Sequence, residues 1–305
     1  MKRFLFQTSL FLLLILVGLY GVLMQADGFT DPYYIRFTTS RQSSLIVGNS
    51  RAAQGVQPAI LNRSLGRSDF FNYAFTLGHS PYGPVYLESI NRKLDKGTTD
   101  GRFIVTVDPW SICTKGKNPN DTTQFAEKNR LLGKLKYVNL NPNFFYLTEN
   151  FERPLVSLLR HNPNNITFLH EDGWLEVSPP KMDSAAVAER TSEKILDYEK
   201  SNLPFFKYSE ARVNSLKQII QALSAHGKVY LVRLPVYADM LVLEDRLMPD
   251  FERRMSQLAL KNQIPYLSFV QTGDSCVFTD GNHLYKESGA KVTKRIASWM
   301  LENDK

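Results

Sequence analysis

The sequence predicts an α/β domain, in which helices cover both faces of a parallel sheet, behind a single N-terminal transmembrane helix. Short apolar runs alternate with helical segments in residues 43–109 and 209–301, a pattern typical of parallel sheets. A charge-free apolar run over residues 4–24 predicts the transmembrane helix. Of the 305 residues, 43% are hydrophobic and 22% are charged, which excludes an intrinsically disordered chain.

The run of residues 4–24 is long enough to cross a bilayer, because a helix of that length measures roughly 30 Å. Lys2 and Arg3 precede the run, and the next basic residue is Arg36. This asymmetry predicts a cytoplasmic N-terminus and an outer domain on the extracytoplasmic side of the cytoplasmic membrane, periplasmic or outer. A cleaved signal peptide is the alternative. Because Gln25-Ala26-Asp27 is a poor cleavage site, we favour a retained single-pass anchor.

Four parts are predicted along the chain: a cytoplasmic tip (1–3), the anchor (4–24), a stalk (25–42) and the α/β domain (43–305). An insertion at about 110–205 interrupts the domain and is rich in asparagine, proline and aromatic residues. It contains a predicted hairpin around residues 166–177. We expect its aromatic side chains to form mainly its own core, with a sugar-stacking platform as the alternative.

The elements of the domain are predicted from local patterns. Five apolar runs are predicted strands: 43–50, 69–75, 102–107, 229–232 and 265–270. The first is broken by Gly48 before a tight turn, and Asp108-Pro109 stops the third. Four segments with apolar residues on one side are predicted helices: 81–94, 209–225, 248–261 and 286–301. Gly227 marks the end of the second of these helices.

Reactive residues follow three of the predicted strands. Gly48-Asn49-Ser50-Arg51 follows the first strand, Leu77-Gly78-His79 the second, and Asp280-Gly281-Asn282-His283 the fifth. In parallel sheets, ligands bind beyond the carboxyl ends of the strands. We therefore expect these three segments to border one cleft.

The residue types in these segments are those of a serine nucleophile and its activating partners. Ser50 needs a base within hydrogen-bond reach, and His283 can be that base. Asp280 can bind the other imidazole nitrogen and so fix the tautomer. The backbone N–H groups of Ser50 and Gly78 are the predicted oxyanion hole. Taken separately, the serine turn can be purely structural, and Asp280 can be a helix cap.

Two segments resemble the motifs of a known superfamily. Val47-Gly-Asn-Ser50 is similar to the first block of the SGNH (GDSL-type) hydrolases, which carries the nucleophilic serine. Asp280-Gly-Asn-His283-Leu is similar to the last block, which carries the aspartate and histidine. Residues 72–78 resemble the second block, whose glycine N–H joins the oxyanion hole. The resemblance implies a flavodoxin-like α/β sandwich and acyl-ester chemistry.

The sequence departs from that superfamily at its third block. An asparagine normally supplies an oxyanion donor there, but this chain reads Val107-Asp108-Pro109-Trp110. An ionised Asp108 would repel an oxyanion and cannot replace it. Asn49, Arg51 and Arg233 are therefore candidate substrate or oxyanion contacts. For both arginines the alternative is an ordinary surface or ion-pairing role.

Cys113 and Cys276 are the only cysteines. In an oxidising compartment they can form a disulfide, and two independent buried thiols are the equal alternative. The histidines lack metal-ligand spacing, and no phosphate-binding or dinucleotide glycine motif occurs, so neither a metal nor a cofactor is expected. Basic residues are scattered rather than clustered, so nucleic acid is not an expected partner.

The anchor, the missing third-block asparagine and the insertion together resemble a membrane-anchored branch of the superfamily. That branch includes the D-alanyl transfer protein of teichoic acid modification and the alginate O-acetylation proteins. The resemblance implies an acylated envelope glycan or polymer as substrate and a multi-pass membrane acyltransferase as partner. The chain is thus predicted to be a serine O-acyltransferase or esterase. A catalytically inactive binding or assembly module is the alternative, and a purely structural envelope protein is a weaker one.

Overall fold

A computed structural model describes residues 1–160 and 165–304 of the chain. The strands in the described residues are β1 (Ser44–Val47), β2 (Phe70–Asn72), β3 (Gly101–Thr106), β4 (Cys113–Lys115), β5 (Thr167–Leu169), β6 (Leu175–Val177), β7 (Phe206–Tyr208), β8 (Gly227–Arg233) and β9 (Tyr266–Ser268). The α-helices are α1 (Lys2–Leu23), α2 (Ser50–Gly55), α3 (Pro58–Leu65), α4 (Pro84–Lys93), α5 (Leu131–Lys134), α6 (Phe144–Glu149), α7 (Ser184–Asp197), α8 (Glu210–Ser224), α9 (Ala238–Leu247), α10 (Phe251–Lys261) and α11 (Lys286–Asn303).

A five-stranded parallel sheet lies at the centre of the fold, with the strand order β2-β1-β3-β8-β9. The predicted α/β class and its parallel sheet are confirmed. Strand β1 lies between β2 and β3. The chain passes from β1 to β2 on one side, then crosses to β3 on the other side and continues outward to β8 and β9. This is a topological switch point, where loops at the carboxyl edge diverge and leave a crevice.

Each face of the sheet is covered by helices because successive side chains of a strand point to opposite faces. On β3, Phe103 and Val105 contribute to one apolar core, while Ile104 contributes to the other. The first core also contains apolar residues of α4, α8 and α10. The second contains apolar residues of α2, α3 and α11, and the terminal helix contacts both shorter ones.

The inserted segment forms small units beside the sheet. Strands β5 and β6 form the predicted antiparallel hairpin. Strand β4 pairs antiparallel with β7, whose residues lie just past the predicted end of the insertion. Neither two-stranded unit joins the central sheet. Helix α7 continues into a π-helical turn at Tyr198–Asn202 before β7.

Helix α1 is long and apolar enough to cross a membrane, with a mean hydropathy of 2.1. Its apolar side chains are exposed, and Leu23 at its end is its one buried residue. The predicted stalk does not stand away from the domain. Tyr34 and Phe37 are fully buried in the first core. Arg36 is also fully buried and donates to the backbone oxygens of three residues: Pro32, Asn72 and Gly173.

Most predicted elements of the domain form, with ends that differ from the predicted ones by up to three residues. The second predicted strand extended to Phe75 but ends at Asn72. There the Asn72 side-chain amide donates to the backbone oxygens of Ala52 and Val56. The backbone N–H of Asn72 donates to the backbone oxygen of Asp172, which lies in the insertion. Helix α9 was not predicted. It lies between β8 and α10, and it provides Glu244 to the interior.

Candidate functional site

Ser50 stands at a sharp turn directly after the strand β1. Gly48 has a φ of 154°, a backbone conformation that residues other than glycine rarely adopt. A Cβ atom there would also lie 1.9 Å from the Thr106 hydroxyl of the neighbouring strand. The Asn49 side chain then accepts from the Arg51 N–H at 3.0 Å and caps α2. Ser50 is thereby the first residue of a helix at the carboxyl edge of the sheet.

The structure brings Ser50, His283 and Asp280 together as the sequence predicts. Ser50 Oγ lies 2.8 Å from His283 Nε2. His283 Nδ1 lies 2.9 Å from Asp280 Oδ2 and 3.0 Å from Oδ1. Because a carboxylate only accepts, Nδ1 carries the proton, and Nε2 is then free to accept from the serine hydroxyl. This is the arrangement of a nucleophile, a general base and an orienting carboxylate.

The Asp280 carboxylate is held in its ionised form. Its Oδ1 accepts from the backbone N–H groups of Asn282 at 3.1 Å and His283 at 2.9 Å. Gly281 allows this tight loop with a φ of 73°. Burial by itself would raise the pKa of Asp280, but the nearby His283, the cation of Lys194 and these hydrogen bonds outweigh it. Together they hold the pKa well below its usual value.

Helix α7, from the insertion, supports the loop that carries Asp280. Lys194 Nζ lies 3.5 Å from Asp280 Oδ2. Arg190 Nε donates to the Thr279 oxygen at 2.8 Å. Thr191 packs so closely that a Cβ atom on Gly281 would lie 2.7 Å from its methyl group. The insertion therefore directly contacts the loop that carries Asp280, although no sequence pattern indicated which part of it would do so.

Asn49 and Asp108 form a buried polar link beneath the serine turn. Asn49 Nδ2 donates to Asp108 Oδ2 at 2.6 Å and to Ser111 Oγ at 3.0 Å. Asp108 also accepts from the Ser111 N–H at 3.0 Å. Burial, opposed by the charge of Arg51, raises the pKa of Asp108. The amide N–H₂ of Asn49 is thus directed into the protein and does not reach Ser50 Oγ.

Arg51 and Arg233 meet at one buried carboxylate. Arg51 Nη1 lies 2.5 Å from Glu244 Oε1, and Arg233 Nη2 lies 2.7 Å from Oε2. Arg233 also pairs with Glu252 at 2.6 Å and is only 2% exposed. The alternative that the sequence left open for Arg233, an ion-pairing role, is what the structure shows. Its guanidinium is held by two glutamates and stacks on the Phe251 ring.

Asn282 is a site residue that sequence reasoning missed. Its Oδ1 accepts from Arg51 Nε at 2.9 Å and Nη2 at 2.7 Å. Its Nδ2 lies 3.2 Å from His283 Nε2, the same atom that faces Ser50. The available signal was its place between Asp280 and His283, since a polar residue in so short a loop must lie near both.

The loop after β2 reaches the serine turn. Ser80 Oγ donates to the Gly48 oxygen at 2.7 Å, and the Phe75 N–H donates to the same oxygen at 3.4 Å. Within the part of the chain that the structure describes, neither the Ser50 N–H nor the Gly78 N–H donates to another residue. Both predicted oxyanion donors are therefore unoccupied in the fold.

A cavity of about 980 Å³ lies beside this loop, between the predicted stalk and the insertion. Its lining includes Tyr33, His79 and Arg130, whereas Ser50 and His283 do not line it. Arg130 Nη1 would lie 2.4 Å from a Cβ atom on Gly78, so the guanidinium covers that glycine. Burial and the charge of Arg130 lower the pKa of His79 to about 4.

The disulfide that the sequence allowed is not formed. Cys113 and Cys276 are both free thiols. Cys113 is buried in β4, where it pairs with Tyr208 of β7. Cys276 follows the 3₁₀ helix Val270–Ser275, and its thiol donates to the Thr272 oxygen at 3.5 Å. The two thiols therefore lie in different elements of the fold and are not joined.

Among the described residues, no group of three or more His, Cys, Asp or Glu side chains is arranged to hold a metal ion. No protein-family model matches the chain, and no curated protein matches it in sequence.

Proposed function

We propose that this protein is a membrane-anchored, extracytoplasmic serine O-acyltransferase or esterase that forms an acyl-serine intermediate. The observation that carries the proposal is the chain of contacts from Ser50 through His283 to Asp280. All three distances are at hydrogen-bond length, from 2.8 to 3.0 Å. The residues come from two segments at opposite ends of the sequence, and a common role in catalysis explains their meeting.

In the proposed reaction, Ser50 Oγ attacks the carbonyl carbon of an acyl ester while His283 Nε2 takes the hydroxyl proton. The bond between the acyl carbon and its alcohol oxygen then breaks. That oxygen leaves with the proton from Nε2, and the acyl group stays on Ser50. Water or a sugar hydroxyl next attacks the acyl-serine, gives its proton to Nε2, and releases Ser50 with its proton restored. Water gives hydrolysis, and the sugar hydroxyl gives transfer.

The unoccupied N–H group of Ser50 supports the proposal, because an oxyanion needs preset donors, and the Gly78 N–H stays a predicted second donor. Asp280 supports it as well, since a carboxylate kept ionised stabilises the imidazolium that forms during attack. The strand order, when the sheet strands are counted along the chain, is 2-1-3-4-5. That is the order of flavodoxin-like sheets and is consistent with the SGNH superfamily as the source of this site.

The substrate class in this proposal is an acylated envelope glycan or polymer, and the proposed partner is a multi-pass membrane acyltransferase. Both come from the resemblance to the membrane-anchored branch. The exposed helix α1 is long and apolar enough to cross a membrane, and the poor cleavage site at Gln25-Ala26-Asp27 favours a retained anchor. A positive charge at Lys2 and Arg3 before this helix supports an outer location for the domain.

The test is covalent labelling of the full-length protein in detergent micelles with a fluorophosphonate, followed by intact-mass analysis. We expect one adduct, on Ser50, and its complete loss in Ser50→Ala. Ser64→Ala removes an exposed serine of α3 and is the matched control, which should label like the wild type. Full labelling of Ser50→Ala would remove Ser50 from this role. Release of acid from an aryl acetate provides a second readout of the same chemistry.

A catalytically inactive binding or assembly module is the second candidate. The cavity beside Tyr33 and Arg130 favours it, because this large cavity does not include the serine and histidine. A binding module predicts that Ser50→Ala retains polymer binding, while the wild type neither labels nor hydrolyses the aryl ester. Labelling of the wild type decides for the enzyme.

A further inference from the structure

Four side chains form a closed ring around the proposed nucleophile. Ser50 and Arg51 are neighbours on α2, and Asn282 and His283 are neighbours on the loop before α11. The two pairs are joined twice, by Ser50 to His283 at 2.8 Å and by Arg51 to Asn282 at 2.7 and 2.9 Å. The contact between Asn282 Nδ2 and His283 Nε2, at 3.2 Å, closes the ring.

The orientation of the Asn282 amide is determined by Arg51. A guanidinium only donates, so the Asn282 atom that binds Nε and Nη2 must be the oxygen. The amide nitrogen is thereby turned toward His283. Because the amide nitrogen only donates, the contact requires a His283 Nε2 without a proton, whose single lone pair is then shared between the Asn282 amide at 3.2 Å and the Ser50 hydroxyl at 2.8 Å. An imidazole with a proton on Nε2 would present a donor to a donor.

Arg51 is itself fixed by the interior. It is 5% exposed, and its Nη1 lies beside the fully buried Glu244 of α9. Glu244 is shared with Arg233, whose second partner is Glu252. The Arg51 guanidinium therefore has little freedom to move away from Asn282. Glu244, which holds it, and Arg233, which shares Glu244, lie behind the ring.

We propose that Arg51 and Asn282 are positioning residues that keep Nε2 of His283 as an unprotonated acceptor facing Ser50. The inference rests on the proposed function and adds to it. Asp280 fixes the imidazole from the Nδ1 side, and Asn282 fixes it from the Nε2 side. After the serine proton reaches Nε2, the donor on Asn282 opposes it, which favours delivery of that proton to the leaving oxygen.

The charged and titratable groups around His283 come from several elements. Asp280 lies on the same loop as His283, and Lys194 of α7 lies 3.5 Å from the Oδ2 atom of that carboxylate. Arg51 of α2 and Glu244 of α9 stand behind Asn282. Tyr198, after α7, lies within electrostatic range of Arg51 and Asp280. The variants below leave Lys194, Glu244 and Tyr198 unchanged.

The test measures the rate of fluorophosphonate labelling against pH in the full-length protein in micelles. Asn282→Asp is the main variant, because it keeps an oxygen for Arg51 and replaces the donor at Nε2 with an acceptor. A carboxylate at that position stabilises the protonated imidazole of His283. We therefore expect the acid limb of the profile, where the labelling rate falls as pH is lowered, to move to higher pH by at least one unit. That shift corresponds to about a tenfold lower rate on the acid side.

Asn282→Ala removes the donor without adding a charge, so its limb should move in the same direction by less. Arg51→Lys keeps the positive charge beside Glu244 but loses the two hydrogen bonds to Asn282 Oδ1. We expect its acid limb to move to higher pH as well. The double variant Arg51→Lys/Asn282→Ala should shift no further than Asn282→Ala, because both act through one contact. A uniform fall in rate with an unmoved limb, in variants that keep the wild-type unfolding temperature, would overturn the proposal.

A second measurement does not depend on activity. The chain has five histidines, so ¹³C-labelled imidazole carbons give a simple spectrum, and loss of one signal in His283→Gln assigns it. The titration midpoint of that signal should rise in Asn282→Asp. If the wild type does not label at all but this midpoint rises, the proposed function fails and the positioning contact stands. If the wild type labels and the midpoint is unchanged, the positioning role fails alone.

Discussion

Lys194 of α7 lies 3.5 Å from the Asp280 carboxylate, so a residue of the insertion touches the loop that carries the proposed base. Two cations therefore lie close to this carboxylate when His283 is protonated. Lys194 is about one-third exposed, whereas Asp280 is largely buried. Water weakens the contribution of the lysine more than that of the imidazole.

Replacing Lys194 with methionine removes this cation and keeps the length of the side chain. We expect the labelling rate of Ser50 to change only a few-fold, because exposed ion pairs contribute at most about 1 kcal/mol. The measurement is the labelling rate near neutral pH, with Lys200→Met on the exposed π-helical turn as control. A loss as large as that of an Asp280 variant would contradict this view of Lys194.

Asp280→Asn should lower the labelling rate much further, by roughly 10⁴-fold, since an amide no longer fixes the Nδ1–H tautomer.

The depressed pKa of Asp280 also predicts how the stability of the fold changes at acid pH. Its carboxylate stabilises the fold at all pH values above the ordinary value of 3.8, and that contribution is lost only as pH falls toward the lower folded value. The wild type should therefore lose more stability than Asp280→Asn between pH 4 and about pH 2, as measured by denaturant unfolding. Equal losses would argue against an ionised Asp280.

The two thiols should differ sharply in reactivity. Burial, with the charge of Asp108, raises the pKa of the Cys113 thiol to about 12, and the residue is 1% exposed. Cys276 is half-buried. Iodoacetamide should modify Cys276 in the folded protein and reach Cys113 only after unfolding. Mass spectrometry of peptides prepared without reductant makes the measurement, and a peptide joining the two cysteines would contradict the structure.

A buried ion pair joins the insertion to α8. Glu127 and Arg212 are 2% and 3% exposed, and two contacts of 2.7 and 3.1 Å join them. Glu127→Ala leaves a buried guanidinium without its counter-ion and should lower the free energy of unfolding by about 3–5 kcal/mol. Glu127→Gln keeps an acceptor and should cost less. Glu189→Ala, on the exposed side of α7, is the control and should stay within about 0.5 kcal/mol.

The buried side chain of Lys93 should make the folded protein more stable as pH rises. In its ammonium form, the buried Lys93 side chain donates to the Thr39 oxygen and hydroxyl and to the Val138 oxygen, at 2.6 to 3.0 Å. Burial lowers its pKa from 10.5 to about 7. Between these two values the unfolded chain binds the proton and the folded chain does not, so the free energy of unfolding rises with pH. Relative to Lys93→Met, the wild type should gain stability from pH 7 to pH 10. Parallel curves for the two proteins would refute this.

The sequence was sufficient to predict the α/β class, the parallel sheet and the pairing of a serine with a histidine, because each depends on local pattern and on where strands end. An ion-pairing role was the stated alternative for Arg51 and Arg233, but their shared partner, Glu244, could not be predicted. That residue lies in α9, which follows a proline-containing segment and has only a weak apolar side. Asn282 was missed because its role comes from a contact with a residue more than two hundred positions away.

The limits of β2 and the burial of Arg36 have the same origin. Asn72 interrupts its strand by binding Ala52, Val56 and Asp172 at once, and one of these partners lies in the insertion. Arg36 is buried because its donors meet backbone oxygens from three separate segments. No periodicity in a single stretch of chain can indicate such contacts.

The burial of Arg36, Tyr34 and Phe37 between helix α1 and strand β1 has a mechanical consequence. A domain on a loose tether sweeps through a wide volume, but one whose connecting segment is part of its own core moves with its anchor as a unit. With α1 in a bilayer, Ser50 would sit at one height above the lipid. A substrate of the proposed reaction would then have to reach Ser50 at that height.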